Sequence, residues 1–382
     1  MITRDIVPLL KQRLAHFPAV AILGPRQSGK TTLAKQLGGT YFDLEQTGSV
    51  LRLDARWDAL VADEDLLVLD EAQEAPEFFP RLRGAIDADR QRTGRFLLLG
   101  SVSPTLMRGV SESLAGRLAL VELSPFLLSE VGEERLDDLW LFGGYPDGGI
   151  RDSAIYGPWQ ESYLALLMQR DLPAWGLPAK PRTTDRLVRM LAAMQGQTMN
   201  AARLGSALGL DSKTVAGYCD YLEGAYLIRR LQPFHSNIRK RLVKSPKVYW
   251  RDSGLLHHLL GTRTLDELFA QPWVGHSWEG FLVEQTISSL ASAGSTARPF
   301  FFRTSDGYEL DLVLEWGGER WAVEFKLTSS PTVDMVDRLS KTADMIDASR
   351  HILVCRTTDE VDTGRLLVTN AGCWLRQLAG RH

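Results

Sequence analysis

Apolar runs alternate with helical patterns along the first third of this chain, and they predict a layered domain. Apolar residues at helical spacing in residues 5–17 predict a short amphipathic helix. A strand, a glycine-bounded loop and a second helix are predicted within residues 20–37. Further apolar runs at residues 66–73 and 95–103 predict buried strands. Buried strands that alternate with helices indicate a parallel sheet covered on both faces.

The loop before the second predicted helix fits the pattern G-x-x-x-x-G-K-[ST] over residues 24–31. Its glycines permit a tight turn in which backbone N–H groups face a triphosphate. In this pattern Lys30 contacts the β- and γ-phosphates, and the hydroxyl of Thr31 binds Mg²⁺. The sequence therefore predicts that ATP binds to Gly24, Pro25, Arg26, Gln27, Ser28, Gly29, Lys30, Thr31 and Thr32.

The apolar run at residues 66–73 ends in two acids, Asp70 and Glu71. Carboxyl ends of parallel strands meet at the edge of the sheet where nucleotides bind. We therefore expect Asp70 to hold Mg²⁺ and Glu71 to orient the attacking water. Ser101 follows the next strand, where ATPases with an additional strand place a sensor of the γ-phosphate; an ordinary turn serine is the alternative.

The segment S-E-S-L-A-G-R-L, residues 111–118, supplies a candidate arginine finger. Arg117 is the first choice to complete the active site of a neighbouring subunit, and Arg108 is the second. Such an arginine stabilises charge that develops in the transition state. A solvated arginine at a helix end is the alternative, and the sequence leaves open whether Arg117 acts in cis or in trans.

Composition limits the classes of function. A length of 382 residues predicts two or three domains, and 44% apolar with 24% charged residues indicates a globular protein. The net charge of -3 means that any DNA-binding surface must be local. Three scattered cysteines favour a reducing cytoplasm over a disulfide framework or a zinc site. No apolar run is long enough for a membrane span, so we expect no membrane contact.

Residues 198–231 resemble a helix-turn-helix unit, preceded by a helical connector. A following strand completes a winged helix-turn-helix pattern, whose second helix carries Lys213. That helix enters the major groove of DNA in one interpretation and packs against protein in the other. The next hairpin is strongly basic and favours contacts with the phosphate backbone of DNA through Arg239, Lys240, Arg241, Lys244 and Lys247.

Beyond residue 271 the pattern is helix, three strands, helix, strand, which is the order of the restriction-endonuclease-like core. Glu324 and Lys326 share one face of a strand, because side chains alternate between faces. With Asp311 on the neighbouring strand they resemble the PD-(D/E)xK nuclease motif, although Leu310 replaces the proline. Asp311, Glu324 and Glu279 are the predicted Mg²⁺ ligands, and Lys326 the residue that activates water. Both an active nuclease and a binding-only domain remain open.

Several segments together resemble a widespread bacterial and archaeal family of AAA-type ATPases. They are G-P-R-Q-S-G-K-T-T-L, L-L-V-L-D-E-A-Q, L-L-L-G-S-V-S, S-L-A-G-R, G-G-Y-P at residues 143–146 and the pair Arg170-Asp171. Members carry an AAA-like domain and a C-terminal region long classed as of unknown function, and the resemblance spans essentially the whole chain.

The expected fold class is α/β. A P-loop AAA-type parallel-sheet domain is predicted at residues 1–145, a helical and winged helix-turn-helix domain at 146–270, and a restriction-endonuclease-like α/β domain at 271–382.

We expect a cytoplasmic, Mg²⁺-dependent ATPase of AAA type that forms a homo-oligomer. ATP binding and hydrolysis would be coupled to DNA binding, remodelling or processing by the C-terminal domains. The alternative is an ATP-dependent conformational switch in signalling or defence, which binds a protein partner and carries an inactive nuclease-like domain. A small-molecule kinase fits less well, because no acceptor-binding lid motif is apparent and two further domains would have no role.

Overall fold

The computed structural model describes residues 2–63, 65–100, 113–235 and 242–379, and its N-terminal domain contains a parallel sheet. The strands are β1 (Ala19–Leu23), β2 (Thr40–Asp43), β3 (Leu67–Asp70), β4 (Phe96–Gly100) and β5 (Leu118–Glu122). They lie in the order β2-β3-β4-β1-β5, with β4 inserted between β1 and β3. The helices of this domain are α1 (Val7–His16), α2 (Lys30–Leu37), α3 (Thr47–Ala62) and α4 (Phe78–Ala88).

The central strands of this sheet are buried along their whole length. Every position of β1 and of β4 is buried, as expected for aliphatic strands covered by helices on both faces. Alternate residues of β4 pack into two apolar cores. Leu98 belongs to one cluster, and Leu97 and Leu99 belong to the cluster on the opposite face of the sheet. The predicted parallel α/β domain is therefore confirmed.

The second region is mainly helical and contains a small sheet. Its first helices are α5 (Leu128–Val131), α6 (Leu136–Phe142), α7 (Tyr156–Leu166), a π-helical segment (Leu167–Asp171), α8 (Leu172–Ala174) and α9 (Pro181–Ala192). There follow β6 (Gln197–Thr198), α10 (Ala201–Leu208), α11 (Ser212–Gly224), β7 (Ile228–Leu231), β8 (Lys247–Trp250), α12 (Ser253–Leu259) and α13 (Leu265–Phe269). The sheet order is β6-β8-β7, and α10 and α11 form the predicted pair of helices around a turn.

Side chains of α11 differ in their exposure. The carboxylate of Asp211 caps the helix by accepting a hydrogen bond from the backbone N–H of Thr214 at 2.9 Å. Lys213 is exposed, as a contact with DNA would require. Tyr218 is only 8% exposed and packs in the core of this region. The side chain of Tyr218 therefore contributes to packing within the protein, and Lys213 remains the predicted contact of this helix with DNA.

The third domain contains α14 (Val274–Ser292), α15 (Val333–Asp344), α16 (Ala371–Ala379) and a mixed sheet. Its strands are β9 (Arg298–Arg303), β10 (Glu309–Trp316), β11 (Glu319–Phe325), β12 (Arg350–Cys355), β13 (Val361–Asp362) and β14 (Leu366–Asn370). They lie in the order β13-β14-β12-β11-β10-β9. The three antiparallel strands β9 to β11, then α15 and the parallel strand β12, follow the predicted order. Assignment to the restriction-endonuclease-like fold stays a prediction.

The described segments on either side of residues 236–241 contact the third domain. Pro233 forms a parallel bridge with Phe301, and Leu242 forms an antiparallel bridge with Thr304. These contacts cover the edge strand β9, which would otherwise expose unpaired backbone groups. Arg239, Lys240 and Arg241, predicted to contact phosphate, lie outside the described residues.

One further property concerns the length of the helices. In the described ranges, none of the helices is both long enough and apolar enough to cross a membrane.

Candidate functional site

Two glycines shape the loop between β1 and α2. Gly29 has φ 96°, a left-handed conformation that other residues rarely adopt. A Cβ atom at Gly24 would lie 2.2 Å from the carbonyl oxygen of Leu123, so the close approach of the two backbones requires a glycine. The loop therefore has the tight geometry that the P-loop motif predicts.

The ammonium group of Lys30 is held inside this loop. It donates hydrogen bonds to the carbonyl oxygens of Gly24 at 3.0 Å and Pro25 at 2.9 Å. Burial lowers the pKa of Lys30 to about 8, and the nearby carboxylates of Glu71 and Asp70 oppose this shift. Lys30 is thus mainly protonated at neutral pH and carries the positive charge that a phosphate requires.

Thr31 and Asp70 form the pair that could hold Mg²⁺. The hydroxyl of Thr31 donates to Oδ2 of Asp70 at 2.6 Å, and the phenol of Tyr41 donates to the same oxygen at 2.7 Å. A hydroxyl and a carboxylate are the oxygen ligands that Mg²⁺ prefers beside phosphates. Ser28 Oγ is buried in the same loop and has no hydrogen-bond partner among the described residues, which leaves a polar atom for a ligand. These residues fit the predicted magnesium nucleotide.

Glu71 follows Asp70 in an unusual backbone conformation. Its φ of 50° is uncommon for a residue other than glycine, and such conformations cluster at functional sites. The side-chain amide of Gln73 donates to Oε2 of Glu71 at 2.5 Å and fixes the direction of the carboxylate. Glu71 and Lys30 line the same cleft, so the predicted water-orienting residue lies beside the predicted phosphate site.

A cleft of about 980 Å³ opens between the loop and the second region. Residues of that region line the cleft opposite the loop: Arg151, Tyr163, Arg170 and Asp171. Asp171 accepts hydrogen bonds from Arg26 of the loop at 3.0 Å and from Arg170 at 2.9 Å. It ends the π-helical segment, and π-helical turns occur frequently at functional sites. The pair Arg170-Asp171 contributed to the family resemblance, but no sequence pattern indicated its contact with Arg26.

Arg4 is a second contact that the sequence did not predict. It is 7% exposed and donates to the carbonyl oxygens of Ser28 at 2.9 Å and Ser124 at 2.6 Å. Its guanidinium also forms an ion pair with Glu130 at 3.0 Å. The segment before α1 therefore holds the loop in place, and Arg4 itself lines the cleft.

Arg117 lies at the opposite end of the sheet from the loop. It immediately precedes β5, whose first residue pairs with Ala19 at the amino end of β1. A strand of five residues spans about 16 Å, so Arg117 cannot reach the phosphates of its own chain. Arg117 forms a bidentate ion pair with Asp87, at 2.8 and 2.9 Å. Hydrogen bonds from Arg117 and Arg90 lower the pKa of Asp87 to about 2. Action in trans stays a prediction, and Ser101 and Arg108 lie outside the described residues.

The third-domain carboxylates surround a lysine from the second region. Lys247 is 1% exposed, and its Nζ lies 2.8 Å from Oε1 of Glu279, 2.5 Å from Oε1 of Glu309 and 3.8 Å from Oδ1 of Asp311. Burial would raise the pKa of Glu279, but Lys247 outweighs it and holds that pKa at about 2. The expected contact between Lys247 and a DNA phosphate is therefore wrong, because this lysine is buried against carboxylates. Lys244 is exposed on the same segment.

The predicted metal ligands of the third domain lie beside two lysines, Lys247 and Lys326. Over the described part of the chain, no group of three or more His, Cys, Asp or Glu side chains is arranged to hold a metal ion. Glu324 faces Lys326, whose Nζ lies 2.5 Å from its Oε1, and Asp311 accepts a hydrogen bond from the backbone N–H of Phe325 at 2.9 Å. Two of the three expected Mg²⁺ ligands, Glu279 and Asp311, thus lie against Lys247, and the third, Glu324, pairs with Lys326.

Comparison with known protein families divides the chain into three parts. A model described as an AAA domain matches residues 16–132. Models of two domains of unknown function, DUF8612 and DUF4143, match residues 133–266 and 274–374. The first match supports the predicted AAA-type P-loop ATPase domain, and the other two leave the roles of the following domains open.

Relatives extend the match to most of the chain. The uncharacterized proteins Rv2008c of Mycobacterium tuberculosis and Mb2031c of Mycobacterium bovis are each 39% identical over 335 residues, which are 86% of this chain and 75% of theirs.

Among solved structures, a variant of RuvB from Thermotoga maritima is 20% identical, with a TM-score of 0.30 over 60% of this chain and 90% of its own. The STAND protein PH0952 from Pyrococcus horikoshii is 12% identical, with a TM-score of 0.31 over 77% of this chain and 47% of its own. Both TM-scores are low.

Proposed function

We propose that this chain, which belongs to the family of the mycobacterial proteins Rv2008c and Mb2031c, is a Mg²⁺-dependent ATPase. In this proposal, ATP turnover is coupled to DNA binding. The observation that carries the ATPase proposal is the 2.6 Å hydrogen bond between Thr31 and Asp70 beside the buried ammonium of Lys30. It brings together, from separate elements, the groups that a magnesium nucleotide needs.

Each residue of the cleft has a defined task in this proposal. Lys30 binds the phosphates, and Thr31 and Asp70 hold Mg²⁺, which supplies charge neutralisation when it is bound. Glu71, oriented by Gln73, positions the attacking water and receives its proton. Arg26 and Arg170 add positive charge at the mouth of the cleft, and Asp171 balances part of it.

The DNA proposal rests on a basic face of the second region. Helix, strand, two helices and two strands follow one another from α9 to β8, which is the order of a winged helix-turn-helix. Arg182, Arg186 and Arg189 lie at spacings of four and three residues on α9 and form an exposed stripe. Arg186 also donates to the carbonyl oxygen of Ala207 in α10, so the stripe lies beside the helix-turn-helix. Lys213 adds a further exposed charge on α11.

We extend the proposal to a homo-oligomer in which Arg117 acts in trans. The position of Arg117 at the far end of its own sheet supports this arrangement, since the arginine could serve only another copy of the chain. Its ion pair with Asp87 would have to exchange for the phosphate charge of a neighbour when subunits associate.

ATP hydrolysis by the wild type and by Lys30→Ala tests the core of the proposal. The wild type should turn over ATP only with Mg²⁺, and Lys30→Ala should be inactive. Adding single-stranded, duplex and junction DNA should stimulate the wild type. Arg182→Glu combined with Arg186→Glu should abolish that stimulation, whereas Lys11→Glu, an exposed change on α1, should leave it intact. Equal turnover by Lys30→Ala and wild type would refute the ATPase.

The rival function is a nucleotide-dependent switch that binds a protein. The contact between Arg26 and Asp171 favours this rival function, because a nucleotide that binds Arg26 could displace Asp171 and so move the second region. Slow turnover that no DNA stimulates, with a large nucleotide-dependent change in protease sensitivity of the second region, would establish the switch in place of the DNA-coupled ATPase.

Mixed variants test the oligomer. Arg117→Ala keeps an intact nucleotide site, and Lys30→Ala keeps an intact arginine. If Arg117 acts in trans, each variant is inactive alone and a mixture recovers activity, because intact halves meet at hybrid interfaces. A mixture that stays inactive, together with a rate per molecule that does not depend on protein concentration, would rule out this oligomer.

A further inference from the structure

The ammonium group of Lys247 lies beside two of the three carboxylates that the nuclease-like motif assigns to a metal ion, Glu279 and Asp311. It contacts Glu279 and Glu309 and lies 3.8 Å from Asp311, and the side chain of Lys247 is 1% exposed. We infer that Lys247 replaces a divalent cation in this carboxylate cluster, so that the third domain neither binds Mg²⁺ there nor cuts nucleic acid. The inference concerns the third domain alone and does not rest on the proposed ATPase.

Electrostatics explains why some cation must be present. Buried carboxylates repel one another and lose hydration, so a cluster of them needs a compensating positive charge. Glu279 is 6% exposed and Asp311 is 5% exposed, so bulk water cannot screen them. Lys247 supplies this charge from within the chain, as a metal ion would in a nuclease.

Three of the four carboxylate oxygens of Glu279 and Asp311 already have partners, whereas Oε2 of Glu324 is buried and has no hydrogen-bond partner among the described residues. Oε1 of Glu279 accepts hydrogen bonds from Lys247 and from the phenol of Tyr249, and its Oε2 lies 3.4 Å from Nδ1 of His276. Oδ2 of Asp311 accepts from the backbone of Phe325. Mg²⁺ requires about six oxygen ligands at about 2.1 Å, and these oxygens are turned toward protein donors instead.

The backbone of Lys247 is held in a sheet, and its ammonium group is held by its ion pairs with Glu279 and Glu309. Lys247 is the first residue of β8, the central strand of the β6-β8-β7 sheet. It pairs with Thr198 on one side and with Leu231 on the other. Moving this backbone would break the sheet, and turning the side chain away would leave a buried cluster of carboxylates without its positive charge. We therefore expect no change of nucleotide state to open the cluster to metal.

Titration with Mn²⁺ without nucleotide, followed by electron paramagnetic resonance, tests the inference. The wild type and Asp311→Asn should bind the same number of Mn²⁺ ions, because any ion at the P-loop is common to both. Lys247→Met, which removes the charge at similar volume, should gain one site. Lys247→Met with Asp311→Asn should lose that site again. A wild-type site that Asp311→Asn removes would overturn the inference.

Thermal unfolding supplies a second readout. Lys247→Met should melt more than about 5 °C below the wild type, because it leaves buried carboxylates unpaired. Mn²⁺ should restore much of this loss in Lys247→Met and leave the wild type unchanged. Lys341→Met, a control that removes an exposed lysine of α15, should change neither melting nor metal binding. If Lys247→Met does not fold, the comparison of the wild type with Asp311→Asn decides alone. A folded Lys247→Met with normal melting and no new site would refute the inference.

Discussion

The guanidinium group of Arg26, inside the phosphate-binding loop, lies 3.0 Å from the carboxylate of Asp171 at the end of the π-helical segment. These residues are 145 positions apart in the sequence and belong to different domains. Asp171 is also 2.9 Å from Arg170, so one carboxylate serves two arginines at the mouth of the cleft. The contact gives the second domain a direct connection to the nucleotide site.

We predict that Asp171→Asn strengthens nucleotide binding. Removing the carboxylate leaves Arg26 and Arg170 with uncompensated positive charge beside the triphosphate site. The affinity for ATP should rise about fivefold, equivalent to roughly 1 kcal/mol between partly exposed charges. Titration with fluorescent ATP analogues at two salt concentrations measures this affinity. The increase in affinity should be smaller at high salt, because salt screens the charges.

The matched control for this prediction is Asp185→Asn. Asp185 also pairs with an arginine, Arg189 at 3.1 Å, but it lies on α9 and does not line the cleft. Its substitution should leave ATP affinity unchanged. Equal effects of the two substitutions would mean that Asp171 acts through general charge and not through its contact with Arg26.

The pKa of Lys30 predicts a pH dependence of nucleotide binding. Burial lowers this pKa to about 8, so the free protein loses the ammonium charge as pH rises from 7 to 9. Because a triphosphate binds the protonated form, ATP affinity should fall about tenfold over this interval. Lys30→Arg keeps its charge at every pH in this range, so its affinity, although lower, should vary little. Parallel pH profiles of the two proteins would contradict the assignment.

Tyr41 should influence the magnesium requirement of hydrolysis. Its phenol shares Oδ2 of Asp70 with the hydroxyl of Thr31, at 2.7 and 2.6 Å, and so orients a predicted metal ligand. Outer partners of this kind typically contribute about tenfold or more to metal affinity. Tyr41→Phe should therefore raise the half-saturating Mg²⁺ concentration of hydrolysis by about tenfold. Asp70→Asn should abolish activity at any Mg²⁺ concentration, and an unchanged requirement in Tyr41→Phe would show that the phenol has no such role.

Local sequence patterns predicted the nucleotide site better than they predicted the contacts between domains. Lys30 and Asp70 were predictable because a loop motif fixes the first, and because parallel strands deliver their carboxyl ends to one edge of the sheet. Contact between Arg26 and Asp171 has no local signature, since it depends on how two domains pack. In the sequence, only the pair Arg170-Asp171, which formed part of the family resemblance, marked the second-region side of this contact.

Lys247 illustrates a different limit of sequence analysis. Its basic neighbours suggested an exposed hairpin, yet it begins a strand whose four residues, K-V-Y-W, are all buried. The apolar run that follows Lys247 was the available signal. The basic composition of the segment favoured an exposed position for Lys247, whereas the carboxylates of the third domain stabilise its buried position.

The final prediction concerns an ionic network that joins the three domains. Glu284 of α14 binds Arg229 of β7 and lies 3.1 Å from Arg251, which in turn lies 2.5 Å from Glu122 at the end of β5. Burial would raise the pKa of Glu284, but the two arginines outweigh burial and hold it below its ordinary value of 4.5. The contribution of Glu284 to stability is therefore present above pH 4.5 and is lost as the pH falls through the lower pKa of the folded state.

Glu284→Gln should reduce the free energy of unfolding by about 3 kcal/mol at pH 7, because it leaves buried arginine charge without its partner. The difference from the wild type should shrink as the pH falls well below 4.5, where the wild-type carboxylate becomes protonated as well. Urea unfolding at a series of pH values measures both effects. Asp362→Asn removes an exposed partner of Arg350 and should cost less than about 1 kcal/mol. A Glu284→Gln penalty as small as that control, or one that persists unchanged at low pH, would mean that apolar packing alone holds the three domains together.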